Sequence, residues 1–231
     1  MKNTMLLILS LLICGGLTAQ DKTMDLSSFT TVEASAGIEV ELVSGSPKAE
    51  ITIKKGEIDD VEIKQSGNTV SVSFKSQSWF GTKSKNRKAY VKLYYDKDIS
   101  KVDVSSGASL KCNETMKINS LKSQVSSGGS LAMAIEAKNT DVDVSSGGSL
   151  KLAGLSDNLK VDVSSGGSFS GGELKTDNVD ADASSGGSAK VWATKEIEAG
   201  ASSGGSVKYK GDPEKENIDV GKWSGGSVRK M

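Results

Sequence analysis

One phrase, Ser-Ser-Gly-Gly or a near copy of it, returns about every 20 residues from residue 105 onward, and this period restricts the fold more than any other feature of the chain. Its first glycine falls at 107, 128, 147, 166, 186, 204 and 225, at intervals of 21, 19, 19, 20, 18 and 21 residues. Repeats of this length are stacked supersecondary units, none of which can bury an apolar face alone. Around each phrase the pattern alternates, as in Val142-Asp143-Val144 before the serines and Leu150-Lys151-Leu152 after the glycines. Period two is the signature of strands. A helical reading fails, because paired glycines would cost about 1 kcal/mol each in a helix interior.

The expected architecture is therefore all-β: a β-solenoid of about seven rungs with coils about 4.8 Å apart, roughly 34 Å long in all. Equivalent residues then form columns along the rod, and position in the repeat predicts the direction of each side chain. The scatter in interval predicts loops of variable length at one edge, for example at Glu173-Leu174-Lys175-Thr176-Asp177-Asn178.

The region before residue 101 reads differently. Alternating runs at Ile38–Leu42, Ala49–Ile53, Val61–Lys64, Val70–Phe74 and Tyr90–Tyr94 are separated by Ser44-Gly45-Ser46-Pro47 and Ser66-Gly67-Asn68. These turns are hairpin chemistry and predict an antiparallel or irregular β cap that closes one end of the stack. Ser35-Ala36-Gly37 reads as a degenerate copy of the corner, so the cap should merge into the repeats. The organisation expected is residues 1–20 as a leader, 21–100 as the cap region and 101–231 as the solenoid.

The leader carries one charge, Lys2, then an apolar run from Met5 to Cys14 and small residues up to Ala19-Gln20. This is the pattern of a secretory signal peptide, with cleavage after Ala19 or Gln20. The run is too short to span a bilayer, so the mature chain carries no expected transmembrane segment. Lipidation through Cys14 is disfavoured by the large Ile13 before it. Without the leader Cys112 is the only cysteine, so no internal disulfide can form.

Basic and acidic residues balance at 29 each, which argues against nucleic acid or an anionic membrane as the main partner. Histidine is absent altogether. That removes the usual general base near neutral pH and the commonest transition-metal ligand. We assign no catalytic, cofactor-binding or metal-ligating residue from the sequence, and no cofactor.

Several features invite a sharper reading. Asp103, Asp143, Asp162 and Asp182 share one outward position, with Asp141 and Asp180 two residues earlier, which raises the question of calcium. Lys101, Lys122 and Lys160 share the neighbouring column and argue against it. Lys83, Lys85, Arg87 and Lys88 beside Trp79-Phe80 read most simply as a solvated hairpin tip, and Trp79, Trp192 and Trp223 as packing residues. Cys112 should point inward. Ser227-Val228-Arg229-Lys230 matches Ser-x-x-Lys by chance and receives no role. The serines should satisfy one another's hydroxyls along the rod.

An opening Phe29-Thr30-Thr31-Val32-Glu33-Ala34-Ser35-Ala36-Gly37-Ile38-Glu39-Val40, iterated Ser-Ser-Gly-Gly-Ser rungs and a closing Trp223-Ser224-Gly225-Gly226-Ser227-Val228 together resemble the head GIN domain family of auto-transporter adhesins, typical of Bacteroidetes. The resemblance covers residues 25–231. It implies a right-handed parallel β-helix exported to the periplasm or the cell surface, and it brings no catalytic or ligand-binding residues with it.

The functional expectation is a non-enzymatic, adhesin-like or structural envelope module. Its polar columns would meet a glycan, a protein ligand or another copy of the chain. The alternatives are a carbohydrate-active enzyme of β-helix type, which would need a deep groove with perturbed carboxylates or lysines, and a periplasmic scaffold.

Overall fold

The protein is described by a computed structural model, which covers residues 20–75, 87–220 and 225–231. The expected leader through Ala19 lies outside the described residues, as do Trp79, Phe80, Lys83, Lys85 and Trp223. Among the described residues, sixteen strands belong to one continuous ladder system, with one 3-10 turn at Ile58–Asp60. The chain forms a β-solenoid of about seven turns.

The repeat region begins with β8 (Lys101–Val104) if the seven strands of the N-terminal region are numbered first. Five long strands follow: β9 (Ser109–Val125), β10 (Ser130–Val144), β11 (Ser149–Val163), β12 (Ser168–Ala183) and β13 (Ser188–Ala201). Consecutive members pair in parallel. The stack ends with β14 (Ser206–Lys210), β15 (Lys215–Val220) and β16 (Ser227–Lys230), which pair in parallel with β13, β13 and β14.

The long strands bend where the inward–outward alternation breaks, once in β10 and β13 and twice in β9, β11 and β12, where a short connecting segment lies between the breaks. In β10, Leu131, Met133 and Ile135 are buried, the alternation breaks at Ala137-Lys138-Asn139, and Thr140, Val142 and Val144 are buried beyond it. Every coil thus has a first limb after the Ser-Ser-Gly-Gly corner and a second limb leading to the next corner. Both rows of inward residues enter one hydrophobic core.

The corners explain the repeated phrase. In Ser145-Ser146-Gly147-Gly148 the second and third residues turn left-handed, with φ of 48° at Ser146 and 70° at Gly147. Gly148 N donates to Ser145 O within the turn, Gly147 N to Ser165 O of the next coil and Ser145 N to Val125 O of the previous one. The fourth residue is buried under the coil before it. A Cβ on Gly148 would stand 2.6 Å from the Val125 carbonyl oxygen, so glycine there is demanded by packing as well as by the turn. Ala36 and Gly37 also have positive φ, 61° and 77°, which makes Ser35-Ala36-Gly37 a true corner.

The serines contribute differently from expectation. Along the column Ser109, Ser130, Ser149, Ser168, Ser188, Ser206 and Ser227, the hydroxyl-to-hydroxyl contact found among the described residues is Ser227 to Ser206, at 3.4 Å. The corner is held by backbone hydrogen bonds, and the outward hydroxyls face water.

The N-terminal region is mixed rather than antiparallel. It comprises β1 (Gln20–Asp25), β2 (Thr31–Ala34), β3 (Glu39–Ser44), β4 (Lys48–Lys55), β5 (Val61–Ser66), β6 (Thr69–Phe74) and β7 (Lys88–Tyr95). β2 and β3 form an early coil, parallel to β8 and β9. Over it lie β6 and β7, also parallel to it, and only beyond them do antiparallel pairs appear: β5 with β6, β4 with β7, and β1 with β4. Gly67-Asn68 is the expected two-residue hairpin loop. Ser44-Gly45-Ser46-Pro47 is not a hairpin, because β7 inserts between β3 and β4 and takes the hydrogen bonds of both.

Variation in repeat length is confined to one part of the coil. Register shifts occur at 111–115 of β9, at 170–175 of β12 and between Ala193 and Glu196 of β13, all between the serine column and the second limb. The second limbs stay in uninterrupted register from β9 to β13. Among the described residues, four polar residues occupy buried positions, Ser123, Thr140, Ser156 and Thr176, and all but Ser123 make hydrogen bonds. Ser123 is fully buried in the column of Val102 and Val142, and its hydroxyl has no partner. Ser123→Ala is expected to raise stability by about 1 kcal/mol, since a buried hydroxyl without a hydrogen bond is a net cost; a lowered urea midpoint would show that the hydroxyl is bonded.

Candidate functional site

The strict register of the second limbs builds three outward columns side by side. The first runs Ser120, Asn139, Asn158, Asn178 and Glu196; the second Lys122, Asp141, Lys160, Asp180 and Glu198; the third Gln124, Asp143, Asp162, Asp182 and Gly200. The first two columns border an open groove of about 570 Å³, whose apolar lining comes from the buried Leu121, Leu159 and Val179.

Asparagines stack here as an amide ladder. Asn158 Nδ2 donates to Asn139 Oδ1 at 3.0 Å, and Asn178 Nδ2 donates to Asn158 Oδ1 at 2.9 Å. Asn158 Nδ2 also donates to Lys138 O at 3.4 Å, which uses both its hydrogens, while Asn139 and Asn178 keep donor capacity and every amide oxygen keeps acceptor capacity, on coils about 4.8 Å apart. Beneath it Thr140 and Ser156 share a buried hydrogen bond of 2.9 Å, and the Ser156 hydroxyl donates to Asn158 O at 2.9 Å, which ties the ladder to the bend. Alongside, charges of both signs alternate; Lys122 Nζ lies 3.0 Å from Asp141 Oδ2. The groove thus has an apolar floor with a polar rim, where Lys122 and Lys160 face Asp141, Asp180, Glu196 and Glu198.

The third column tests the calcium question. Asp143, Asp162 and Asp182 lie on consecutive coils, but Gln124 separates them from Asp103, whose Oδ2 is 2.9 Å from Lys101 Nζ. Among the described residues no group of three or more acidic or cysteine side chains gathers to hold a metal ion. The aspartates form a row rather than a cage.

Asp162 is nevertheless perturbed: desolvation raises it above the usual carboxylate range, Lys160 opposes this, and Asp182, Asp180 and Asp143 add to the rise. A folded value above the unfolded one means that ionised Asp162 costs stability at neutral pH, and that the cost fades as pH falls through the raised value. Asp162→Asn is expected to stabilise by roughly 0.5 kcal/mol near pH 7, the scale of a like-charge pair across strands. The advantage should vanish by about pH 3, where carboxylates are protonated in both states. Urea midpoints at the two pH values test this, and an equal gain at both would refute it.

The first limb carries the other outward face. Its columns are the serines and, two residues on, Lys111, Ala132, Lys151, Ser170, Lys190, Lys208 and Arg229. Trp192 is half-buried at the edge of this face, with Lys210 Nζ 4.1 Å from its ring centroid.

Residues 28–213 match the family described as putative auto-transporter adhesin, head GIN domain. The chain belongs to this family. Solved structures similar to this head GIN chain include a putative adhesin from Bacteroides fragilis, with TM-score 0.76 at 16% identity over 94% of this chain and 98% of the other. A putative adhesin from Parabacteroides merdae gives TM-score 0.72 at 19% identity, and a putative lipid binding protein from Parabacteroides distasonis gives 0.67 at 19%, each with the same coverage. At such identities the likeness is one of fold. No curated protein matches the chain.

The remaining sequence candidates of this head GIN chain resolve into packing where they are described. Arg87 lies over the Phe74 ring at 4.7 Å and donates to Lys75 O, while Lys88 pairs with Glu39 at 3.2 Å. Ser227 and Lys230 do not work together, because Lys230 Nζ is held by Asp212 at 2.8 Å. Cys112 points inward and is 5% exposed. Burial pushes its thiol up, and it contacts Glu114 O at 3.4 Å. A thiol reagent is expected to label the native protein on the order of a hundredfold more slowly than the urea-unfolded chain; equal rates would contradict this burial.

The asparagine ladder was not singled out from sequence, yet a signal exists. Ser120, Asn139, Asn158 and Asn178 each stand eight residues before the first glycine of the next corner. The constant offset becomes meaningful once the corners are known to stack.

Proposed function

We propose that the protein is an exported, non-enzymatic, adhesin-like rod of the cell envelope that holds a hydroxyl-rich ligand, a glycan or a glycosylated partner, along the groove of its second limbs. The observation that carries this reading is the uninterrupted register of the Asn139–Asn158–Asn178 ladder beside alternating lysine and aspartate. The repeated amide presents an acceptor at each coil, with donors at Asn139 and Asn178, which suits a polymer with repeated hydroxyls. Binding of this kind is weak per contact and gains from multivalency.

Family membership supports the adhesin-like part. The absence of histidine and the uniform columns along the groove favour binding over catalysis. Export is supported by the Met5–Cys14 apolar run and the small residues through Ala19, with cleavage after Ala19 or Gln20. Among the described residues no helix is long and apolar enough to cross a membrane.

Protease shaving of intact cells, with a periplasmic protein as lysis control and immunodetection of the chain, tests the placement. Digestion from intact cells is the expected result. Full protection would overturn the surface adhesin reading and leave the periplasmic scaffold in its place.

A further inference from the structure

We propose a second binding surface, on the opposite limb from the groove: a cationic stripe formed by Lys190, Lys208 and Arg229 that binds an acidic polysaccharide. The three side chains occupy one outward column on consecutive coils, since Lys190 pairs in register with Lys208 and Lys208 with Arg229. All three are exposed.

The same column is neutralised towards the N-terminus. Lys111 is paired with Glu41 at 3.3 Å and Lys151 with Glu173 at 3.1 Å. Lys190, Lys208 and Arg229 have no carboxylate within salt-bridge distance among the described residues, and the two nearby cations Lys195 and Lys230 are occupied by Asp177 and Asp212. Three like charges about 4.8 Å apart repel one another, and an anion bridging them relieves that repulsion. A row of carboxylates or sulfates carried on one chain does so best, because it neutralises all three at once.

The surroundings favour a sugar polymer among polyanions. Ser188, Ser206 and Ser227 line one side of the stripe, with hydroxyls that are free apart from the long Ser227 to Ser206 contact. They can exchange hydrogen bonds with sugar hydroxyls. On the other side the half-buried Trp192 indole gives an apolar edge for the C–H face of a ring and steadies Lys210 as a further cation.

Nucleic acid is disfavoured by so few cations on a chain of zero net charge. A membrane is disfavoured because the exposed large apolar residues form no patch beside the stripe: Leu155 shares the Trp192–Lys210 column but is separated from Trp192 by Lys175, and Ile218 and Val220 lie on β15. This surface is independent of the groove, and its test uses purified protein whatever the cellular location.

The experiment is biolayer interferometry of the purified processed chain against immobilised polygalacturonate, chondroitin sulfate and neutral dextran, at low and high salt. Salt-sensitive binding to at least one acidic polymer and none to dextran is expected; the two acidic polymers separate carboxylate from sulfate recognition. The double variant Lys190→Gln/Lys208→Gln should weaken binding about tenfold or more, while Lys64→Gln/Lys97→Gln, exposed in the N-terminal region and part of neither surface, should leave it unchanged.

Absence of binding to both acidic polymers, or equal loss with the two double variants, would overturn the proposal. Binding to phosphatidylglycerol vesicles in place of the polymers would overturn it in favour of a membrane. Low-salt self-association abolished by Lys190→Gln/Lys208→Gln, without polymer binding, would overturn it in favour of a second copy meeting this stripe with its Asp143–Asp162–Asp182 row.

Discussion

Gly148→Ala is expected to destabilise the protein by about 3 kcal/mol, although it adds a single methyl group at a turn. The added carbon would sit 2.6 Å from the Val125 carbonyl oxygen and 2.9 Å from its carbon, both backbone atoms of the preceding coil. That carbonyl also accepts the Ser145 amide, so moving it strains the ladder that joins the coils. The comparison variant is Gly147→Ala, where nothing stands within 4 Å of the new carbon but φ is 70°. Its cost should be about 1–2 kcal/mol, that of placing a non-glycine residue in the left-handed region.

The same place in the first Ser-Ser-Gly corner is held by Ala108, fully buried, and the coil before it turns at Ser35-Ala36-Gly37-Ile38, where the fourth residue is likewise not glycine. From Gly129 onward the carbonyl of the preceding coil closes over the site. Urea unfolding of both variants tests the ordering. If Gly148→Ala cost less than Gly147→Ala, packing between coils would not be what requires the fourth glycine.

The second large effect is expected from Phe169→Ala, at about 3–5 kcal/mol, or a fall in Tm on the order of 10 °C for a chain of this size. Phe169 is 1% exposed and stands in the inward column between Leu150 and Ala189. Its ring fills the space left by Gly171: a Cβ there would lie 2.6 Å from Phe169 Cε1. The coil thus trades a side chain at 171 for a large one at 169, and the surrounding backbone cannot collapse into the resulting cavity without breaking register with β11 and β13. A loss below about 1 kcal/mol would mean that the core relaxes freely at this coil.

How much was legible before the structure follows from which interactions are local. The corner could be read residue by residue, because paired glycines after serines restrict the chain wherever they occur; Gly37, Gly107 and Gly225 all turn with positive φ as the phrase implies. The inward and outward assignment of Cys112, Val142 and Val144 followed from alternation within a strand. The family could be recognised for the same reason, since its phrases are contiguous.

What lay beyond reach depended on partners distant in sequence. Ser44-Gly45-Ser46-Pro47 has hairpin composition, yet β7, more than 40 residues later, enters between β3 and β4. Chain composition cannot show an inserted strand, because the hydrogen bonds of an edge are indifferent to which segment fills it. Ser123 likewise looks like one more polar residue in a serine-rich chain, and only the stacking of Val102 and Val142 on either side makes it a buried orphan.

The candidate sites divide along the same line. The period by itself determined that Asp143, Asp162 and Asp182 would share a column and that lysines would share another, because one coil repeats the last. Tertiary structure alone decided which charges are spent on each other. Lys111 and Lys151 meet Glu41 and Glu173 across coils whose register depends on bulges at 111–115 and 170–175, whereas Lys190, Lys208 and Arg229 meet no carboxylate among the described residues. An ion pair needs a few ångströms of proximity, and that proximity is set by stacking rather than by sequence spacing.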